Sequence, residues 1–559
     1  MKNFLGHTML TSRSLLGAGV LLLSATGHGA EPVGLKSALA GERLGLLPAT
    51  QFKITTGADC TGCSTLKQGL WYFKDDVLAV PLPSQTVSSV KGSSDVAGGL
   101  KAWAAGGKLD ELHYPGLVWL GAPQILDDAV ILNDGATVRA ADGGVTGFKL
   151  VPKIASNLSY WDAGTTAFFA KRQVRMRGTF KEENGQSSFV ARTVWPKDYF
   201  LDQDKMVAKP FGANESLTGF VQEEGGGAAS PYSTRLLWER KPGQGRQWQD
   251  KPVIGVMLNG AQGDDDEAYG GHFAIATGQV GKRGEWSDWI VNNFYNLDSV
   301  SEKGIIAAPV PMDNYLMDLN SGQQYYRPSY MLVAVLNNAR TAAAYQGGVQ
   351  RVFNHFYRHD FTYQHAGANC AGISLDVFKA LGWNIPQRGA TSNLKAIGAY
   401  AYLSAKDRSL ASGRKIYDYL TEEQVRLYPA VAFAAAGQDL MQLVGAEKGQ
   451  SRKLTDFEKQ LQSDVEALVL VRIPQVPSSR VMGSNPVFSF DEFMARTPAD
   501  RSKWKIVPTG PRPFPEELRD KSVAALEGPG PVPLPVAGIA AGGIFGIGAL
   551  VRRRRKKKA

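Results

Sequence analysis

The chain has 559 residues, 43% hydrophobic and 20% charged, a composition that excludes disordered and fibrous classes and suits two or three folded domains. Its net charge of +10 includes seven cations in R-R-R-R-K-K-K at 552–558, plus Lys2 and Arg13 near the N-terminus. Without those nine, the body carries about +1, which leaves no electrostatic case for a nucleic-acid partner. At the N-terminus, Lys2 and Arg13 precede the apolar run L-L-G-A-G-V-L-L-L at 15–23. This reads as a signal peptide over 1–30, cleaved near Ala30, because the run is shorter than the ~20 residues of a membrane span. Residues 31–250 read as a β-rich module, a sandwich or barrel, with short runs such as L-W-Y-F, A-V-I-L, F-K-L-V and Q-V-R-M-R-G-T-F between glycine turns. Within it, 219–231 has the glycine content of an exposed loop. Over 251–390, P-V-I-G-V-M-L-N, H-F-A-I-A-T-G and D-W-I-V-N-N-F-Y are predicted strands, followed by predicted helices at 329–345 and Ala371–Leu381. Residues 391–528 read as a mostly helical extension, up to about 470, ending in a Pro-rich linker.

The three cysteines divide unevenly. Cys60 and Cys63, in C-T-G-C, are expected to close a local disulfide, because their flanks are not the strand-to-helix turn of a redox motif. Cys370 is alone, at the predicted start of an amphipathic helix whose face is Leu375, Phe378 and Leu381. A helix N-terminus stabilises a thiolate, and small neighbours Ala371 and Gly372 leave the sulfur open to attack. His272, on a predicted strand 98 residues upstream, is the expected base. Ala274 and Ala276 share its face and would leave room for the cysteine helix. The next strand supplies the residue that orients the imidazole; Asn292 is favoured and Asn293 is the near alternative, with alternation putting them on opposite faces. Tyr363 and Asn369 are expected to line the pocket. His365, five residues before the thiol, is a rival base and pocket residue.

The order strand-His, strand-polar, helix, then Tyr-x6-Cys from Tyr363 to Cys370, with Gly271-His272 and Asn369-Cys370 as matching pairs, resembles circularly permuted papain-like domains. These are the permuted relatives of NlpC-like cell-wall peptidases, including lecithin:retinol acyltransferase-like and Lnb-N-terminal-type periplasmic domains. The resemblance covers about 120 residues and implies amide or ester cleavage, or acyl transfer, through a thioester. At the C-terminus, P-V-P-L-P at 531–535, sixteen small or apolar residues at 536–551 and the basic cluster resemble the VPLPA variant of PEP-CTERM sorting signals. That resemblance implies an exosortase-type processing protease. It also implies an exported protein of the Gram-negative envelope, periplasmic or outer, held at least transiently in the inner membrane by residues 536–551 of a sorting tail over 529–559.

The expected architecture is therefore α+β: a β-rich module, a permuted papain-like domain, a helical extension and a transmembrane or sorting helix. The expected substrates are cell-wall peptides, lipids or envelope proteins, with no cofactor and no metal. Two other readings compete. One is a non-catalytic envelope scaffold that uses the fold as a binding platform. The other is a zinc hydrolase built on His355, His359 and His365, although Phe356 stands where a metalloprotease has its glutamate. The acidic run Asp264–Glu267 reads as a solvated turn.

Overall fold

In the computed structural model of the chain, the described residues are 32–518 apart from 42, 61–62, 64, 83–99, 107–115, 156, 224–226, 301–303, 360–361, 450–451, 508–509 and 513. The expected signal peptide and C-terminal tail lie outside the described residues. Short runs containing β-branched residues build β1 (Gln124–Ile131), β2 (Thr137–Arg139) and β3 (Val145–Leu150). A capping box, in which the Asp162 carboxylate accepts the Thr165 amide, starts the short α1 (Ala163–Phe169). The long hairpin of β4 (Val174–Glu183) and β5 (Gln186–Pro196) follows, turning at Asn184-Gly185.

β1 pairs with β4 through its first half and with β2 at its end, while β2 pairs with β3. β3 runs parallel to β5, and β5 returns to β4. The ring closes as a five-stranded barrel with OB-type connectivity. β1 changes partner at a register slip opposite Asp127 and Asp128, where Asp128 takes φ +53°.

The second sheet has seven strands, every pairing antiparallel. In chain order they are β6 (Ser233–Glu239), β7 (Pro252–Asn259), β8 (His272–Gln279), β9 (Ile290–Asn292), β10 (Pro309–Pro311), β11 (Ser329–Leu336) and β12 (Val465–Ile473). Their spatial order is β6-β12-β11-β7-β8-β9-β10. Every residue of β7 and of β11 is buried, because both faces of the sheet are covered. Helices α3 (Arg340–Tyr357), α4 (Cys370–Leu381) and α5 (Pro429–Leu443) cover one face; α2 (Met312–Met317) and the barrel cover the other. Thr277 of β8 donates to Gln346 of α3 at 2.6 Å, which marks Phe273, Ile275 and Thr277 as the helix face. On the barrel side, Trp195 packs edge-on against Trp286 at 4.7 Å, and Tyr199 stacks on Tyr232 at 4.4 Å.

The chain is α+β, as its sequence leads one to expect, but several elements differ. The expected helix over 329–345 is a strand through Leu336 and a helix only from Arg340. V-E-A-L-V-L-V, placed in a helical extension, is the interior strand β12. L-W-Y-F belongs to a helix, Lys67–Tyr72, and part of the expected loop at 219–231 is the helix Leu217–Gln222. The boundaries at 250 and 390 also dissolve. The sheet takes β6 from before the first and β12 from after the second, and the described residues form one unit. Among the described residues no helix is long and apolar enough to cross a membrane.

Candidate active site

Local chemistry fixes the thiol first. Asn369 has extended backbone, and its Oδ1 accepts the Gly372 amide at 2.8 Å, which starts α4 with Cys370 as its first residue. The Asn369 side-chain nitrogen donates to the carbonyls of His365 and Leu427, each at 3.0 Å. Asn369 is thus a helix cap, and it also lines the cavity, as expected of it. Arg426 grips Asp376 of α4 at 2.7 Å and the Gly367 carbonyl at 2.8 Å, tying the segment before the thiol to its helix. The helix ends at Gly382, whose φ of +102° suits glycine.

The histidine is placed by backbone geometry. Gly271 has φ +77°, and a Cβ there would lie 2.4 Å from the Asn259 carbonyl oxygen, so only glycine lets β8 begin so close to β7. His272 is the first residue of β8. Its Nε2 lies 2.6 Å from Asn293 Oδ1, and the Asn293 side-chain nitrogen donates to the Ile306 carbonyl. That second bond turns Oδ1 toward the ring, so Nε2 carries the proton and Nδ1 is left as an acceptor. Asn292 points to the other face, where its side-chain nitrogen donates to the Ile275 carbonyl at 3.3 Å and Gln346 is its neighbour. The orienting residue is therefore Asn293, which corrects the preference for Asn292.

His272 and Cys370 come together because both stand at one end of the sheet, at a cavity of about 390 Å³ that both line. The cysteine helix does not pack on Ala274 and Ala276, as expected. Alternation puts those alanines on the face opposite Thr277 and α3. Past the rung Ile275–Asn292 the strands separate, and the Phe273 amide turns to the Cys370 sulfur. Tyr363 and His365 line the same cavity; the Tyr363 hydroxyl accepts the Cys370 amide at 3.4 Å. The Tyr363 ring packs edge-on against that of His365 at 5.7 Å, but among the described residues no side chain hydrogen-bonds the His365 ring, and in this it differs from His272.

Burial dominates the electrostatics. It pushes the Cys370 thiol above its ordinary value, and the Phe273 amide, the Tyr363 hydroxyl, the Ala371 amide and the Arg327 charge only partly offset it. The helix N-terminus thus does not win, contrary to expectation. Burial, seconded by Arg327, lowers His272 to about 3, with the Asn293 bond working the other way. Burial also lowers His365 and raises the Tyr363 hydroxyl. The resting pair is a neutral thiol and a neutral imidazole.

The other expectations resolve differently. His355 is buried within α3, His359 lies beyond its end beside the Tyr72 hydroxyl and Asp298, and His365 faces the cavity. Among the described residues no three His, Cys, Asp or Glu side chains converge as a metal-binding group. The helix carrying His355 is a core element. Cys60 and Cys63 are joined as a disulfide, and Cys370 is free. Asp264–Glu267 is not a solvated turn either: Asp264 pairs with Arg480 at 2.6 Å, and the buried Asp266 accepts the Lys505 amide at 2.8 Å.

Sequence reasoning missed Arg327. It lies in Y-Y-R-P-S-Y, just before β11, and its guanidinium lines the cavity. The available signal was a single charge inside an otherwise aromatic and apolar stretch. Compared with protein-family models, curated proteins and solved structures, the chain finds no match.

Proposed function

We propose that this protein is an exported thiol hydrolase or acyltransferase of the cell envelope, of permuted papain-like type. The observation that carries the reading is His272 held by Asn293 in one cavity with a helix-starting cysteine. Cys370 Sγ attacks the carbonyl carbon of an amide or ester while His272 Nδ1 takes the thiol proton. The oxyanion forms next to the Cys370 amide, which the Tyr363 hydroxyl now occupies at 3.4 Å. Tyr363 stays protonated and is a second donor to that oxyanion. Collapse expels the amine or alcohol, which leaves with the proton held by His272. A thioester remains on Cys370, and water, or another acceptor, deprotonated by His272, releases the acyl group. The N-terminal signal pattern, the Cys60–Cys63 disulfide and the C-terminal basic tail support an extracytoplasmic site. Cell-wall peptides, lipids and envelope proteins are the substrate classes within reach there, with the tail and its processing protease as the membrane connection.

One observation favours the scaffold reading: Cys370 is only 3% exposed and its thiol is harder to ionise than usual. Alkylation with neutral iodoacetamide across pH separates the two. Under the enzyme reading the folded protein labels at Cys370, and His272→Ala or Asn293→Ala slows this about tenfold or more. Asn292→Ala leaves the rate unchanged. A thiol that labels only after unfolding sinks the hydrolase.

A further inference from the structure

Arg327 is 4% exposed, and its guanidinium lines the cavity that holds Cys370 and His272. Its Nε donates to Gln323 Oε1 at 2.9 Å and its Nη1 to the Gly260 carbonyl at 3.3 Å. Both partners are neutral. Among the described residues it makes no ion pair at contact distance, whereas the buried Arg177, Arg426 and Arg480 each meet a carboxylate. The charge of Asp265, which lines the same cavity, acts on it only from farther away. Burying a charge without a counter-ion is costly, and the cost is retained where a ligand supplies the missing charge. The two neutral acceptors take the Nε hydrogen and one Nη1 hydrogen, which leaves Nη2 and the second Nη1 hydrogen as an end-on fork with no partner among the described residues. That geometry suits a carboxylate, which the guanidinium fork meets in two parallel hydrogen bonds.

We infer that Arg327 is the anion receptor of this cavity, so that the substrate carries a carboxylate close to the acyl group that Cys370 attacks. The inference rests on the thiol-hydrolase reading and deepens it by giving the substrate's charge. The Arg327 charge also acts on the thiol and the imidazole, where it favours thiolate and disfavours imidazolium. A bound carboxylate neutralises it, so receptor and electrostatic roles are separable by experiment.

Cys370 is the free thiol beside a disulfide that consumes the other two cysteines, so alkylation of the full-length protein reports on it directly. Iodoacetate and iodoacetamide differ only in carboxylate against carboxamide. The expected result is a rate ratio of iodoacetate to iodoacetamide at least about tenfold above that of glutathione. Arg327→Met should bring the rate ratio down to that of glutathione, whatever change in the iodoacetamide rate follows from loss of the nearby charge, while Arg327→Lys retains part of the preference. A wild-type ratio equal to that of glutathione overturns the receptor with no variant needed, and leaves the hydrolase intact. An equal fall of both rates in Arg327→Met also overturns it, since that is the signature of an arginine that merely steadies the thiolate. Failure of both reagents to label folded protein removes the hydrolase reading, and the receptor falls with it.

Discussion

Arg177 and Arg327 are both shielded from solvent, yet they stand in opposite electrostatic settings. Arg177, where the barrel meets the sheet, donates from Nε to both oxygens of the buried Asp313, at 2.8 and 2.9 Å, and reaches Asp288 at 3.2 Å. Beside it Arg175 clasps Asp288 at 2.7 and 2.8 Å. Those charges are neutralised within the protein, and their effect is to fix the barrel on the sheet in one orientation. Arg327, at the cavity, has only neutral acceptors. The difference separates a charge that the fold itself satisfies from one that it leaves for a ligand.

The contrast is open to attack from both sides, beginning with the junction. Arg177→Met strands the Asp313 carboxylate and should cost about 3–5 kcal/mol in denaturant unfolding. Replacing both partners, Arg177→Met with Asp313→Leu, should recover most of that loss. If the double variant is no better than the single one, the pair is not the unit that holds the junction.

The cavity side is averse to charge, and pH exposes this. His272 titrates near 3 in the folded state and near 6.5 when unfolded. Above 6.5 both states are neutral there and the histidine contributes no pH dependence. As pH falls from 6.5 toward 3 the unfolded chain binds the extra proton, so stability drops by up to ~1.4 kcal/mol per pH unit. His272→Gln should flatten that part of the urea-midpoint profile; an unchanged profile would mean that the imidazole is not held neutral.

Arg327→Met should change unfolding free energy by less than about 2 kcal/mol, because lost hydrogen bonds are offset by removal of an uncompensated buried charge. A loss as large as that of Arg177→Met would instead make Arg327 a structural residue. The smallest effect is expected for Asp288→Asn. The Asp288 side chain is 36% exposed and solvent screens its pair with Arg175, so about 1 kcal/mol or less is at stake, fading in high salt. Urea titrations at two salt concentrations would check both.

Much of the site was legible because its determinants are local. Asn369 before Cys370, small residues after it and Gly382 at its end define α4 from sequence alone. Alternation along D-W-I-V-N-N-F-Y is equally local, and it put Asn292 and Asn293 on opposite faces. It did not say which face holds the imidazole. Apolar runs were less legible. S-Y-M-L-V-A-V-L and V-E-A-L-V-L-V lack a clear period because both faces of their strands are buried, so helix and strand fit the pattern equally well.

The sequence by itself determined the candidate site residues Cys370 and His272, the start and stop of the cysteine helix, the strand that bears His272 and the mixed α+β class. These follow from capping, turn chemistry and short-range periodicity, which act over a few residues. Tertiary structure alone decided the rest. It joined segments from before 250 and after 390 in one sheet, and selected Asn293 over Asn292. It buried the thiol deeply enough to raise its pKa, and it brought Arg327 to the same cavity with only neutral hydrogen-bond acceptors. Each of these depends on which distant surfaces cover a strand, and that is a property of packing and desolvation, which no local pattern encodes.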